Sequence, residues 1–418
     1  MGSVSKNMER QDKAQQGPLA DLRVLELATL IAGPFAGRYL ADFGAHVIKV
    51  EQPGTGDPLR GWGASGDGGV SLWHLVQSRG KQSITADLDD PRDQALVRRL
   101  ALESDILLEN FRPGRLESWN LDPVDLMAAN PRLIVVRISG YGQDGPLRDQ
   151  PGFGTIAEAA GGLRYITGEP DRPPSRVGLS LGDSIPSLHA LIGTLIAVHE
   201  RHTSGRGQIV DVSLADSIFA MLEGILPEYS HLGLIRERVG SMAHNSGPTN
   251  AYPCADGTLV CIAANTTGLF RKLFRAIDAR EYADDEQLAS NRERVRRASE
   301  LDAAIRAWTQ ARTADEVIAF LRARHIPVSR ISSIADIVSD AQFEARRMIV
   351  AVEDERLGRT LLVPGVTPKL SRTPGRVPYL ARPLGADTDA VRRWLDSAAA
   401  DSTSEQLAPQ LASELSGR

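Results

Sequence analysis

The chain has almost no cysteine and no uninterrupted apolar run of membrane length. Only two of its 418 residues are cysteine, Cys254 and Cys261, which excludes a disulfide scaffold and favours a reducing compartment. Two thiols are also too few ligands for a structural metal site. The polar start, Met1 to Gly17, lacks the apolar core of a signal peptide. We therefore expect a cytoplasmic protein with no membrane partner.

Motifs of several large enzyme classes are absent as well. The chain has no P-loop, no G-x-S-x-G and no H-E-x-x-H, and its eight histidines form no cluster with ligand spacing. A net charge of −5 gives no basic field for nucleic acid. With 42% apolar and 24% charged residues, the composition is that of a globular protein large enough for two domains. No metal and no nucleic-acid partner are expected.

Short apolar segments alternate with helical ones through the first half of the chain. The predicted strands are 23–27, 46–50, 84–86, 105–108, 133–138 and 208–214. A turn, 32–34, leads to a helix that continues through Phe43, and helical spacing also covers 91–104, 122–129, the run from Asp183 to about His202, and 215–225. Such alternation predicts parallel strands joined by crossover helices, which is an α/β, Rossmann-like architecture.

A change of composition near Tyr229 predicts a second, smaller α+β domain. Glycines and polar residues are followed by a predicted hairpin, 259–264, and by two predicted helices. The second of these helices begins at a capping box that starts at Thr313. The predicted organisation is a disordered tail (1–17), a large domain in two parts (18–229 and 336–397), a small domain (230–335) and a loose tail (398–418).

Two local expectations concern the predicted small domain. Cys254 and Cys261 flank an Asp256–Gly257 turn, and we interpret both as core thiols of a hairpin. Arg292, Arg294, Arg296 and Arg297 form a basic cluster, which we place on a solvated helix face.

Asp183 is the strongest catalytic candidate in the sequence. It lies between a Pro/Gly-rich loop and the apolar run 185–198, and therefore at a predicted helix N-terminus. Backbone N–H groups and the helix dipole favour an ionised carboxylate there, and an ionised, partly exposed Asp can act as a nucleophile. The alternative is that Asp183 only caps the helix.

Two further segments have the position of ligand loops after parallel strands. The turn 32–37 with Glu51 resembles a dinucleotide site, but G-x-G-x-x-G is absent, and Gly33 and Gly37 fit close helix–strand packing better. In 109–115, the Asn110 amide can bind an adenine edge or an amide and Phe111 can stack on a ring. Arg112 and Arg115 can pair with phosphates. The alternative is an ordinary turn with solvated arginines.

Taken in order, these segments resemble the family III CoA-transferases, the group that includes formyl-CoA and carnitine CoA-transferases. The resemblance covers about Pro18 to Leu395 and is carried by 19–27, 32–34, 43–51, 109–114, 140–146, 181–183, 204–208, 363–365 and 382–385. It implies a large, discontinuous Rossmann-like domain, a small domain, and two subunits interlocked as a homodimer.

The resemblance also implies a chemistry, with Asp183 as its catalytic aspartate. The carboxylate attacks a donor thioester to form a mixed anhydride, and the released CoA thiolate then gives an aspartyl-CoA thioester and the free donor acid. An acceptor carboxylate repeats the exchange. Coenzyme A enters only as part of the substrates, and neither ATP, metal nor a tightly bound cofactor is required. A glycine loop, 240–247, shields the anhydride from water.

Further site residues follow from the same resemblance. The residues implied for CoA binding are Ile31, Ala32, Gln52, Ala86, Asn110, Phe111, Arg112 and Arg115. Those implied for the acid substrate are Phe153, Gly154, Arg164, His244 and Gly247, with Arg164 and His244 suited to a distal carboxylate. Gln52 and Ser118 stand where formyl-CoA transferases carry Arg, so the CoA contacts must differ here.

The segment 151–154 separates this chain from two groups of relatives. Some have an acidic residue where Gly154 stands, and the α-methylacyl-CoA racemases have a catalytic His–Asp pair where Phe153 and Gly154 stand. Transfer is therefore favoured over proton abstraction. The pattern is closest to the branch that moves CoA from succinyl-CoA to dicarboxylates such as malate, citramalate or itaconate. The alternatives are an acyl-CoA racemase or CoA hydrolase on this fold, a nicotinamide oxidoreductase, and a non-catalytic CoA-binding protein.

Overall fold

A computed structural model describes residues 17–66 and 69–397. The predicted tails, 1–17 and 398–418, lie outside the described residues, apart from Gly17. Contacts divide the described chain into two compact units. The first consists of the described residues up to Gly162, Leu179–Glu223 and the described residues from Ala345 onward, and the second of Leu163–Gly178 and Gly224–Glu344. The predicted small domain, 230–335, falls inside the second unit, which also takes in a segment, Leu163–Gly178, placed by the sequence prediction in the large domain.

The first unit is built on a six-stranded sheet in which every neighbouring pair of strands is parallel. Its strands are β1 (Arg23–Leu27), β2 (His46–Glu51), β3 (Gln82–Thr85), β4 (Ile106–Glu109), β5 (Ile134–Ser139) and β6 (Ile209–Ser213), in the order β3-β2-β1-β4-β5-β6. The predicted α/β, Rossmann-like class is confirmed. The side chains of β4 and β5 are all buried, as expected for central parallel strands covered on both faces.

Helices connect these strands where the sequence provides start signals. They are α1 (Ala32–Asp42), α2 (Leu72–Gln77), α3 (Pro91–Leu102), α4 (Arg115–Ser118), α5 (Pro123–Ala129), α6 (Gly154–Ala160), α7 (Leu181–Ser204) and α8 (Leu214–Phe219). Asp90 and Asp122 each cap a helix whose first residue is proline. The predicted single helix 215–225 is wrong, because α8 ends at Phe219 and the chain turns through residues 220–224, with Glu223 at a left-handed φ of 50°, before the next helix begins at Ile225.

α7 is a long and apolar helix that packs inside the first unit against α1, α6, α8, β5 and β6. Among the described helices, it alone has the length and composition of a membrane span, and 33% of its most apolar window is buried. The sequence predicted no apolar segment of membrane length. It missed this helix because Pro186, Gly193 and polar residues interrupt the apolar run, although the helix continues through them.

The second unit combines a three-stranded sheet with helices. Its elements are α9 (Ile225–Leu232), β7 (Thr249–Pro253), β8 (Leu259–Ala263), α10 (Thr267–Ala276), α11 (Arg280–Ala283), α12 (Asn291–Arg296), α13 (Ala298–Gln310), α14 (Ala314–Arg322), β9 (Val328–Arg330) and α15 (Ile334–Val338). The hairpin predicted at 259–264 begins earlier, because that segment forms only its second strand, β8, which pairs with β7. The capping box at Thr313 opens α14 as predicted.

After Glu344 the chain returns to the first unit. The helix α16 (Ala341–Ala345) contains the boundary between the two units. It is followed by an antiparallel pair of strands, β10 (Ile349–Asp354) and β11 (Arg359–Pro364). Residues 388–397 are helical.

Two local expectations are wrong. Cys254 is buried, but Cys261 is exposed, because alternate residues of β8 face away from the core. Arg294 is almost fully buried and donates to the carbonyls of Gly247, Leu288, Ala289 and Asn265, although its neighbours in the arginine cluster are more exposed.

Candidate active site

The main candidate site is a crevice of about 220 Å³ at the carboxyl end of the sheet. β1 and β4 are neighbours, and the strands that follow each of them lie on opposite sides. This reversal of strand order is where ligands bind in open α/β sheets. The crevice is lined by the loops after β1, β4 and β5 and by the start of α7: Thr29, Leu30, Ile31, Ala32, Asn110, Phe111, Arg112, Pro113, Ile138, Ser139, Gly140, Arg148, Gln150, Pro151, Gly152, Phe153, Asp183 and Leu214.

Asp183 stands in the first turn of α7, which places it at a helix N-terminus as the sequence predicted. Its side chain is half-buried and reaches the crevice. The residue that precedes the helix is Ser180, and its side chain forms no capping hydrogen bond. Instead, the buried Glu158 of α6 accepts a hydrogen bond from the N–H of Gly182 at 3.3 Å. Asp183 is the third residue of the helix, where the positive end of the helix dipole favours a negative side chain.

Gly154 and Gly182 let two helix N-termini approach each other closely. A Cβ on Gly182 would lie 2.8 Å from the Cα of Gly154, and one on Gly154 would lie 2.9 Å from the backbone nitrogen of Asp183. It would also overlap the Asp183 carboxylate. Gly154 therefore defines the position of the candidate nucleophile itself. An acidic residue here, as in some relatives, would require Asp183 to move.

The loop after β4 brings Asn110, Phe111 and Arg112 to the crevice. The Asn110 amide is engaged with the backbone of Thr29, accepting from its N–H at 2.9 Å and donating to its carbonyl at 2.8 Å. The side chain therefore links the loops after β1 and β4. One N–H and one lone pair remain on the Asn110 amide for the predicted contact with a ligand.

The two arginines of this loop differ in surroundings. Arg112 is exposed and lines the crevice. Arg115 pairs with Asp89 at 3.4 Å and lies over the Trp119 ring at 4.2 Å from its centroid. It lines neither this crevice nor the smaller cavity beside it. Arg112 is consequently the better placed of the two for a phosphate in the crevice.

A second cavity, of about 120 Å³, shares Thr29 and Phe111 with the crevice. It contains two of the other predicted residues, Gln52 and Ala86, together with Val50, Glu51, Gly56, Asp57, Leu88, Asp89 and Trp119. Phe111 is fixed between the two cavities. Its ring meets Trp119 edge to face at 5.0 Å, and its N–H donates to Glu109 at 2.7 Å. Burial raises the pKa of Glu109 to about 7, against the opposing effect of the Arg137 guanidinium.

Glu51 is not free to bind a ribose. Its buried carboxylate accepts from Arg60 (2.7 Å), from the N–H of Asp57 (3.0 Å) and from the Ser83 hydroxyl (2.7 Å). Burial opposes ionisation, but the Arg60 guanidinium, the Lys49 ammonium and the Ser83 hydroxyl lower the pKa of Glu51 to about 2. Gly33 and Gly37 pack against Ala28 and Glu26, as the packing interpretation expected. These contacts disfavour a dinucleotide site.

The predicted acid-binding residues fall in two places. Phe153 is 64% exposed and lines the crevice, and Gly154 abuts Asp183. Arg164, His244 and Gly247 belong to the second unit. There His244 and Gly247 line a cavity of about 330 Å³ that also contains the buried Asp302, so their part in the site stays a prediction.

Sequence reasoning missed several residues of the crevice. Arg148 follows the 140–146 motif after β5, a position from which loops reach this edge of the sheet. Leu30 gave no signal, since nothing in its residue type indicates its left-handed φ of 63°. Charged residues within buried strands, Glu26 and Lys49, were a signal of a buried ion cluster that the prediction did not use. In the part of the chain that is described, no group of three or more His, Cys, Asp or Glu side chains could hold a metal ion.

The fold and crevice define a Rossmann-like α/β protein with its ligand site at a topological switch point. Residues 19–388 match the model of CoA-transferase family III. The chain is 48% identical to succinyl-CoA–D-citramalate CoA-transferase of Chloroflexus aurantiacus, covering 88% of this chain and 91% of the relative. It is 40% identical to the succinyl-CoA–L-malate CoA-transferase beta subunit of that organism, covering 90% and 93%.

A solved structure agrees. The CAIB/BAIF family protein from Brucella suis superimposes with a TM-score of 0.80 at 33% identity, covering 91% of this chain and all of that one. The chain belongs to CoA-transferase family III and is a CoA-transferase. Membership of this family sets aside the nicotinamide oxidoreductase and non-catalytic alternatives.

The contact between Gly154 and Asp183 generates a test. Gly154→Ala should lower the transfer rate by about 10- to 100-fold, because displacing a reacting group by about 1 Å costs that much. CoA affinity, measured by calorimetry, should change little. Gly61→Ala is the control, because a Cβ there meets nothing within 4 Å. A Gly154→Ala enzyme as fast as the Gly61→Ala enzyme would contradict the constraint.

Proposed function

We propose that this enzyme transfers CoA from succinyl-CoA to a dicarboxylate through covalent intermediates on Asp183. The observation that carries the proposal is the position of Asp183, at a helix N-terminus and in the wall of the crevice. The relatives named above use succinyl-CoA with D-citramalate or L-malate. Phe153 and Gly154 provide no acid–base pair at the place where racemases have one, which supports transfer.

The steps exchange one acyl group for another without net hydrolysis. The Asp183 carboxylate attacks the thioester carbonyl, the C–S bond breaks, and a mixed anhydride and CoA thiolate result. The thiolate attacks the aspartyl carbonyl, which releases succinate and leaves an aspartyl-CoA thioester. The acceptor carboxylate attacks that thioester to form a second anhydride, and the thiolate then attacks the acceptor's carbonyl. Acceptor acyl-CoA forms and the Asp183 carboxylate is restored.

The surroundings of Asp183 suit these steps. The positive end of the α7 dipole stabilises oxygen charge that develops beside the carboxylate. The anhydride must be kept from water, and we assign that role to the loop 240–247. The ends of this loop are fixed within the second unit: the N–H of Gly240 donates to the carbonyl of Gly168, and Arg294 donates to that of Gly247 at 2.8 Å.

The crevice and the second cavity adjoin each other at Thr29 and Phe111, which line both. We propose that the thioester end lies in the crevice beside Asp183, and that the nucleotide end extends past Phe111 toward Gln52 and Ala86. Ile31 and Ala32 form the wall at the start of α1, and Arg112 pairs with phosphate. Arg115 supports the cavity through Trp119. Phe153 faces the acid, with Arg164 and His244 as candidates for its distal carboxylate.

The proposed partner of this chain is a second copy, interlocked with it in the cytoplasm. Leu188, Ile192, Leu195 and Ile196 recur at helical spacing on α7 and are 40–61% exposed. An apolar face of this kind is typical of an interface. Sedimentation should give about twice 45.2 kDa. Ile192→Glu with Ile196→Glu should reduce that mass, whereas Val124→Glu, at an exposed site on α5, should not. A monomeric wild type would contradict the dimer.

The nucleophile is tested with wild type, Asp183→Ala and Asp183→Asn. Wild type incubated with succinyl-CoA and a panel of free acids should yield new CoA esters, mainly of dicarboxylates, identified by mass spectrometry. Both variants should lose at least about 1000-fold in rate while keeping CoA affinity, because neither side chain is a nucleophile. Hydroxylamine should leave a hydroxamate on the Asp183 peptide of wild type only. Near-normal turnover by Asp183→Ala would exclude the mechanism.

Phosphate pairing by Arg112 is tested separately. Arg112→Ala should raise the Kd for CoA by about tenfold or less at low salt, and the difference should shrink at high salt, because exposed charges are screened. The turnover number should change less, since phosphate contacts contribute equally to ground and transition states. Arg206→Ala is the control, an exposed arginine before β6 at the opposite end of the sheet. Equal Kd values for the two variants would place the phosphates elsewhere.

A further inference from the structure

Leu30 has an unusual backbone conformation in the wall of the crevice. Its φ of 63° lies in the left-handed region, which residues with a branched side chain rarely adopt. It immediately precedes Ile31 and Ala32, two of the residues assigned to CoA, and all three line the crevice. Strained backbone at a ligand site persists only where the surrounding structure holds it.

Asp57 is the group that holds Leu30. Its carboxylate is 1% exposed and accepts from the Leu30 N–H at 3.0 and 3.2 Å and from the Leu59 N–H at 2.9 Å. Lys49 lies 2.9 Å from the same carboxylate. Burial alone would raise the pKa of Asp57, but Lys49 and the two N–H groups bring it below its ordinary value. An ionised carboxylate is thus kept under the loop.

Lys49 belongs to a buried cluster that spans the loop. Its ammonium donates to the carbonyl of Ala28 at 2.6 Å and to Glu26 at 3.0 Å. Glu26 also pairs with Lys81, at 2.7 Å, and Lys81 donates to the carbonyl of Pro34 at 2.8 Å. The cluster therefore reaches both ends of the segment from Ala28 to Pro34.

Neutral side chains hold the residues between those ends. Gln77 donates to the carbonyl of Ile31 at 2.9 Å. The Ser187 hydroxyl lies 2.7 Å from the carbonyl of Ala32 and 2.6 Å from that of Asp183, so the loop is linked to the turn that carries the nucleophile. With Asn110 on Thr29, each residue from Ala28 to Ala32 has a backbone group held by a side chain.

We infer that Asp57 is a positioning residue, which fixes the CoA-binding wall of the crevice by holding Leu30 in its left-handed conformation. A buried ion cluster is a costly way to gain stability alone, since apolar side chains of similar size often serve equally well. The cluster instead contacts backbone groups of the loop from Ala28 to Pro34, and these contacts fix the shape of that loop. The inference rests on the proposed binding of CoA at this loop.

The test compares Asp57→Ala with a matched control, Asp42→Ala. Asp42 is equally buried, and it pairs with Arg79 at 2.7 and 2.8 Å away from both cavities. Both variants should melt at lower temperature than wild type. At a temperature where both are folded, Asp57→Ala should raise the calorimetric Kd for CoA by about tenfold, and Asp42→Ala should leave it within about twofold. Equal Kd values in the two variants would overturn the inference.

Asp57→Asn separates positioning from stability. An Asn oxygen can still accept from the Leu30 N–H, but the ion pair with Lys49 is lost. Asp57→Asn should therefore regain most of the CoA affinity while its melting temperature remains low. A Kd that follows the melting temperature across the three variants would overturn the positioning role. Should Asp57→Ala not fold, Asp57→Ser, which is too short to reach Leu30, replaces it with the same expected Kd.

Leu30 itself provides a further comparison. In the Asp57→Ala background, Leu30→Gly should bind CoA more tightly than Leu30→Ala, because glycine alone adopts a positive φ without strain. Equal binding would contradict the part assigned to backbone conformation. Amide hydrogen exchange of residues 28–33 without ligand should be faster in Asp57→Ala than in Asp42→Ala. That measurement reports loop order even if wild type fails to bind CoA, which would instead contradict the proposed function.

Discussion

The close approach of Gly154 to Gly182 is the constraint on which the site depends. Two helix N-termini meet there with no room for a side chain on either glycine, and the Asp183 carboxylate occupies the space beside them. Asp183 is consequently placed by backbone packing, without a side-chain cap at the start of its helix. The packing of the two glycines therefore fixes the backbone position from which the Asp183 side chain extends.

The crevice opposite Asp183 is built from two loops that are held by different means. The loop after β1 is held from below by a buried ion cluster, whereas the loop after β4 is held by Glu109, Trp119 and Asn110. Asn110 connects the two, because its amide pairs with both backbone groups of Thr29. A shift in either loop would therefore be transmitted to the other across the switch point of the sheet.

The sequence predicted the fold and the place of Asp183 because both rest on local patterns. Apolar runs, proline-led helix starts and the order of short motifs are readable along the chain. Contacts between distant residues were not. Asp57 lies 27 residues from Leu30, and no residue pattern in either segment indicates the hydrogen bond between them. The burial of Arg294 was missed partly for the same reason, because two of the carbonyls that accept from it belong to Gly247 and Asn265, which are 47 and 29 residues away.

Exchange of one thioester for another needs little driving force, so the enzyme's task is mainly geometric. Each step joins a carboxylate or thiolate to a carbonyl that must already be within reach, and holding reactants in that geometry removes most of the entropic barrier. Water competes for the same carbonyls in every intermediate. A wall fixed residue by residue before the substrate arrives meets the first demand, because binding energy is then not spent on ordering the loop. The buried charges beneath the β1 loop are thus understandable as part of the chemistry, although none of them touches a reacting atom.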